Sequence, residues 1–149
     1  MSTPIFAMPI EGELLSIEQV SDPVFSARMM GDGFAIIPKG EYIVAPFSGT
    51  VEVVFPTGHA IVLKSDDGIS VLIHIGLNTV NLGGEGFEIL INQGDRVLIG
   101  DPLIRIDFNL LKSKGYDTTT PIVFLSGQKV DKISDSKCGL LQRDIITII

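Results

Sequence analysis

His59-Ala60-Ile61-Val62-Leu63-Lys64-Ser65-Asp66-Asp67-Gly68-Ile69-Ser70-Val71-Leu72-Ile73-His74 sets two short β-branched runs on either side of a polar turn, with a histidine at each outer end. Runs of this length rich in Val, Ile and Leu suit strands, and Asp-Asp-Gly between them suits a hairpin. With Asp66 and Asp67 as the two loop residues, paired positions sum to 133, so Leu63 faces Ser70, Ile61 faces Leu72 and His59 faces His74. Directly opposed residues share a face of the sheet, with Cβ atoms about 4.5–5.5 Å apart. The register therefore predicts two imidazoles side by side, within reach of one small group.

The same texture extends in both directions. Short apolar segments recur at 42–44, 50–55, 96–99, 103–106, 121–125 and 145–148, separated by turn residues. Gly94-Asp95 and Gly100-Asp101 punctuate one of them as tight turns. Two helical pieces are predicted. One starts at Asp22-Pro23, an acidic cap before a first-turn proline, and stops at Gly31 after Met29-Met30. The other runs through 109–114 and ends at Gly115. An echo links Ala7-Met8-Pro9-Ile10-Glu11-Gly12 to Ala45-Pro46-Phe47-Ser48-Gly49. The expectation is an all-β fold, an antiparallel β-sandwich or barrel-like arrangement with one or two short helices, in one domain covering 1–149.

Composition narrows the functions. The chain has 149 residues, 45% of them apolar and 19% charged, enough for one buried core. Eighteen acidic against eleven basic side chains give a formal charge of −7. Such a field repels phosphate backbones and anionic lipid, which argues against nucleic acid and membrane-surface partners. The lone cysteine, Cys138, has no internal disulfide partner and reads as a small apolar residue in a reducing compartment. The first residues lack the basic, apolar pattern of a secretion signal, and every apolar run is broken well short of about 20 residues. A cytoplasmic protein without direct membrane insertion is expected. Its Met1 start and lack of a Pro/Gly/Ser linker favour a free-standing chain.

Two neighbouring imidazoles can bind a metal, move protons or carry a phosphoryl group on nitrogen. A catalytic zinc site takes three protein ligands, and here a carboxylate would have to supply the third. No Gly-x-Ser-x-Gly elbow is present, no Walker loop either, and Gly83-Gly84-Glu85-Gly86 lacks dinucleotide-binding spacing. Phosphoryl carriage needs least, since the acceptor is the ring nitrogen itself and the protein positions it beside a donor to the phosphate oxygens. Phe55, Ile61, Val62, Ile73 and Ile75 are read as an apolar rim for a protein partner.

Five further stretches carry a family resemblance: Gly31-Asp32-Gly33-Phe34-Ala35-Ile36, Ala45-Pro46-Phe47-Ser48-Gly49, Phe55-Pro56-Thr57-Gly58-His59-Ala60, His74-Ile75-Gly76-Leu77-Asn78-Thr79-Val80 and Gly84-Glu85-Gly86-Phe87. With them the chain resembles, from about Ala7 onward, the glucose-class IIA domain of the bacterial phosphoenolpyruvate-dependent sugar phosphotransferase system. The resemblance implies a β-sandwich phosphotransferase component with a phosphohistidine intermediate. His74 would accept phosphate from the phosphohistidine of a phosphocarrier protein and pass it to a cysteine of a IIB domain. His59 would support the phosphate, Thr57 would orient His59, and the carbonyl of Gly76 would orient His74. A partner surface of Asp22, Val24, Phe25, Phe55, Ile61, Ile73, Asn78 and Val80 is implied as well. One departure stands out: Asn78 occupies a position where the family usually has aspartate, which weakens the expected contact with a basic partner.

No cofactor is expected for carriage. The runner-up is a regulatory binding module that acts on permeases or kinases through the same rim with little phosphotransfer, with zinc shared between His59, His74 and a partner carboxylate. A lysostaphin-like zinc peptidase lacks its His-x-His here. A biotinyl or lipoyl carrier would need a target lysine in a different setting from Lys64.

Overall fold

The computed structural model describes residues 5–149, which form thirteen strands and two short helices. In chain order the strands are β1 (Gly12–Ser16), β2 (Gly33–Pro38), β3 (Tyr42–Val44), β4 (Gly49–Val54), β5 (Ala60–Ser65), β6 (Ser70–His74) and β7 (Phe87–Ile89). They continue with β8 (Arg96–Val97), β9 (Pro102–Ile106), β10 (Thr120–Phe124), β11 (Val130–Ile133), β12 (Lys137–Cys138) and β13 (Ile146–Ile148). The helices are α1 (Pro23–Ser26) and α2 (Phe108–Ser113).

Eight strands make one antiparallel sheet in the order β12-β1-β2-β10-β6-β5-β4-β8, and β3-β9-β7 form a second sheet of three. Strand alternation gives the large sheet two apolar faces. Ile61, Leu63, Val71 and Ile73 point to the side of the small sheet and join Ile43, Ile104 and Ile106 in the main core. Ala60, Leu72, Ala35 and Val123 point the other way, into a smaller cluster closed by Ile17, Val20 and Phe25. The all-β sandwich with two short helices is thus the observed architecture.

Glycines open two strands where the echo falls. A Cβ on Gly12 would lie 2.1 Å from the Ile37 carbonyl, and one on Gly49 would lie 2.0 Å from that of Lys64. Both segments need glycine for the same close strand approach.

Two expectations are corrected. The first helix is a single turn ending at Ser26, well before Gly31. Arg28, at φ +56°, turns the chain off the axis, and its guanidinium ties the loop to Glu18 and Asp32. The hairpin register is also one residue away from the expected one. Its loop has three residues, Asp66 to Gly68, with Gly68 at φ +91° and the Gly68 amide donating to the Ser65 carbonyl. Ala60 therefore faces His74, Ile61 faces Ile73 and Leu63 faces Val71.

Candidate functional site

The observed register would send His59 and His74 to opposite faces if both lay in regular strand. His74 is the last residue of β6 and projects from the face of the smaller apolar cluster. His59 precedes β5, in a turn where Gly58 takes φ +73° and its amide donates to the Phe55 carbonyl at 2.7 Å. A Cβ on Gly58 would lie 3.0 Å from that of Phe87, so the turn requires glycine. The turn re-aims His59, and its ring centroid comes 5.1 Å from that of His74, the planes nearly perpendicular at 78°. The rings meet through this bend and not through direct cross-strand pairing.

Each ring is tied by Nδ1 to an oxygen two residues away. His59 Nδ1 hydrogen-bonds the Thr57 hydroxyl. His74 Nδ1 lies 2.7 Å from the Gly76 carbonyl. A carbonyl only accepts, so His74 carries its proton on Nδ1 and leaves the Nε2 lone pair free. Burial pushes the pKa of both imidazoles below the ordinary value, and the neighbouring His74 lowers His59 further. At His74 the Gly76 carbonyl and the Asp22 carboxylate oppose the shift without reversing it. Both rings are thereby kept neutral at ordinary pH, as a nitrogen nucleophile needs.

The surroundings sort the expected residues into three groups. Phe55, Val24, Asn78 and Val80 are exposed, and the Phe55 ring packs 5.3 Å from His59. Asp22 is half-buried; its carboxylate caps α1 by accepting from the Val24 amide at 3.0 Å and also acts on His74. Phe25 is 4% exposed and stands 5.1 Å from His74 as a wall of its niche, which corrects its expected place on the partner surface. Ile61, Ile73 and Ile75 are 0% exposed and belong to the main core, so they do not line a partner surface. For Ile61 the one-residue register shift is the cause, since it turns this residue away from the face of His74; Ile73 and Ile75 flank His74 in sequence and lie on the opposite face in either register. Val62 instead shares the face of His74, partly buried.

His59 itself is only 5% exposed and His74 half-buried, with Phe55 and Phe25 packed against the two rings. A groove between Lys39, Phe87, Arg105 and Lys112 contains neither ring. Among the described residues no three His, Cys, Asp or Glu side chains converge on a metal position. Zinc at His59 and His74 would take its remaining ligands from a partner. Cys138 is buried at the far edge of the sheet, where burial pushes its thiol up.

Two residues close to the pair had no role in the sequence reading. Thr79, fully buried, donates its hydroxyl to the Ile75 carbonyl, and the Asp117 carbonyl accepts from the Leu77 amide. Thr79 stands in the quoted histidine motif, whereas nothing local in sequence links Asp117 to it. Among the described residues no helix is long and apolar enough to cross a membrane.

Residues 5–130 match the family model described as phosphoenolpyruvate-dependent sugar phosphotransferase system, EIIA 1. The chain is 44% identical over 126 residues to a glucose-specific EIIA component of Staphylococcus aureus, covering 85% of this chain and 76% of that protein. It is 54% identical over 115 residues to a glucoside-specific EIICBA component of Staphylococcus carnosus, covering 77% of this chain but only 17% of that longer protein. In fold it is similar to glucose permease IIA from Mycoplasma capricolum, with a TM-score of 0.87, 33% identity, and 99% of this chain and 96% of that one covered.

Proposed function

The chain belongs to the EIIA 1 family of the phosphoenolpyruvate-dependent sugar phosphotransferase system, and from that premise we propose that it is a cytoplasmic phosphoryl carrier acting in sugar uptake, with His74 as acceptor. The carrying observation is the pair itself: two neutral rings 5.1 Å apart, each held at Nδ1. The phosphohistidine of a phosphocarrier protein approaches the niche, and His74 Nε2 attacks phosphorus. The donor P–N bond breaks, and its electron pair stays on the donor nitrogen. His74 keeps its Nδ1 proton, and the Gly76 carbonyl stabilises the charge that the ring acquires. The Thr57 hydroxyl donates to His59 Nδ1, which leaves His59 Nε2–H as a donor to the phosphate oxygens. A cysteine thiolate of a IIB domain then attacks phosphorus and releases His74 for another cycle.

The partners enter across Phe55, beside His59, and across Val24 and Val80, all of them exposed. Family membership favours carriage over a purely regulatory module. The relatives' names speak of glucose and glucosides, and a hexose system of that kind is the proposed setting for one carrier domain spanning 1–149.

Incubation with phosphoenolpyruvate, enzyme I and phosphocarrier tests the assignment. His74→Gln should take up no phosphate. His59→Gln should still be labelled, because an amide keeps a donor, but should pass the group onward more slowly, by less than the roughly 10²–10³-fold that outright loss of one oxyanion donor costs, because the amide holds its N–H in a different place from Nε2. The label should be acid-labile and base-stable. Labelling of His74→Gln at the parent rate would refute the acceptor assignment.

A further inference from the structure

Three consecutive peptide planes after His74 are individually fixed. The His74–Ile75 unit is held by the Ile75 amide, which donates to the His59 carbonyl at 2.7 Å. The Ile75–Gly76 unit is held by Thr79, whose hydroxyl donates to the Ile75 carbonyl at 2.6 Å. A trans peptide is planar, with its C=O and N–H on opposite sides. The Gly76–Leu77 unit is therefore gripped at both ends: its carbonyl accepts from His74 Nδ1 at 2.7 Å, and its amide donates to the Asp117 carbonyl at 2.9 Å.

Packing closes around the same unit. A Cβ on Gly76, which sits at φ +74°, would lie 2.7 Å from Thr79 Cγ2 and 3.0 Å from the Asp117 carbonyl oxygen. Thr79 thus presses on Gly76 with its methyl while its hydroxyl holds the preceding carbonyl. Asp117 is braced in turn, because its carboxylate accepts from the Thr119 amide at 2.9 Å immediately before β10. Hydrogen bonds in series polarise one another, so the chain from Asp117 through Leu77 and Gly76 strengthens the last bond to His74.

A neutral imidazole carries its proton on either nitrogen, and only the Nδ1–H form offers Nε2 as a nucleophile. We infer that Thr79 and Asp117 are positioning residues for phosphoryl transfer: by fixing the peptide planes on either side of Gly76 they hold His74 in the Nδ1–H tautomer with Nε2 free to attack. The inference rests on the carrier reading for its consequence in transfer, while the tautomer itself is measurable without any partner. Neither residue touches the phosphoryl group. Misplacement of a supporting group by about 1 Å can cost about 10²-fold in rate.

The test compares Thr79→Val, which keeps the shape and loses the hydroxyl, with Thr79→Ser, which keeps the hydroxyl. Ring-nitrogen spectra of His74 report the tautomer, and single-turnover transfer from the phosphocarrier reports the rate. Thr79→Val should move His74 toward the Nε2–H tautomer and slow phosphate acceptance at least tenfold, with KM for the phosphocarrier unchanged. Thr79→Ser should restore both. Because Thr79 is buried, Asp117→Ala at an exposed position is measured in parallel, with Asp117→Asn as its conservative rescue. It should act in the same direction. Parent-like tautomer and rate in Thr79→Val, or in Asp117→Ala should the valine variant not fold, would overturn the inference, even if stability drops. A parent protein that takes no phosphate on His74 would instead refute the carrier reading, and the tautomer spectra would still decide the role of Thr79 and Asp117.

Discussion

At the scale of single residues, the histidine pair makes a statement about pH. Burial holds both imidazoles below the ordinary value of 6.5. An unfolded histidine binds a proton as pH falls through about 6.5, while the native rings stay neutral until their lower values are reached. Within that window the unfolded state holds more protons, so folding stability falls as pH falls. Urea unfolding should show stability flat from pH 8 to 7 and declining below about 6.5, and the decline should be reduced in the His59→Gln, His74→Gln double variant. An equal decline in that variant would assign the effect to other groups. Asp32 acts in a lower window: burial pushes its carboxyl up, but the Val130 amide and Arg28 outweigh this and hold it below its ordinary 3.8. Asn78 belongs to this scale too. Its φ of +59° is a left-handed conformation that asparagine tolerates well, so the departure from aspartate fits the backbone there.

At the scale of elements, the hairpin shows what a sequence reveals and what it leaves open. The strands of β5 and β6 were legible from their β-branched runs, because residue type and strand length are local properties. The loop was not, because Asp66-Asp67-Gly68 serves two- and three-residue turns alike, and the choice depends on Gly68 adopting φ +91° with the Ser65 hydroxyl accepting from the Ile69 amide. One residue of slip exchanges the faces of every side chain. That exchange removed Ile61 from the face of His74, a face that Ile73 occupies in neither register, while the bend at Gly58 brought His59 back to His74. The consequence is measurable. Ile61→Ala, in the main core, should destabilise the protein by about 2–5 kcal/mol. Val80→Ser, at 50% exposure, should change stability by less than about 0.5 kcal/mol yet weaken phosphocarrier binding. Chemical denaturation and a binding titration check the pair of variants, and the reverse pattern would restore the unshifted register.

At the scale of the whole molecule, the sandwich was readable from many short strands without helical periodicity between them. Most of the strands were placed within a residue or two, as with β3 at 42–44 and β9 at 102–106. The two-residue β12 and the edge strand β7 carry too little apolar pattern to signal themselves, and the segment expected at 96–99 is strand only at Arg96–Val97. The sheet order was not legible either, since β10 lies between β2 and β6 through pairings distant in sequence. That order matters to the site: β10 ends the path from Asp117 and sits beside the strand that carries His74. The fold thus delivers one neutral ring nitrogen to the surface, with its partner nitrogen held by a carbonyl. The most direct test charges ring-nitrogen-labelled protein with phosphoenolpyruvate, enzyme I and phosphocarrier, then reads the nitrogen–phosphorus couplings. One phosphoryl group on Nε2 of His74, with Nδ1 still protonated, is the predicted result; phosphate on His59, on His74 Nδ1, or on neither histidine would contradict it.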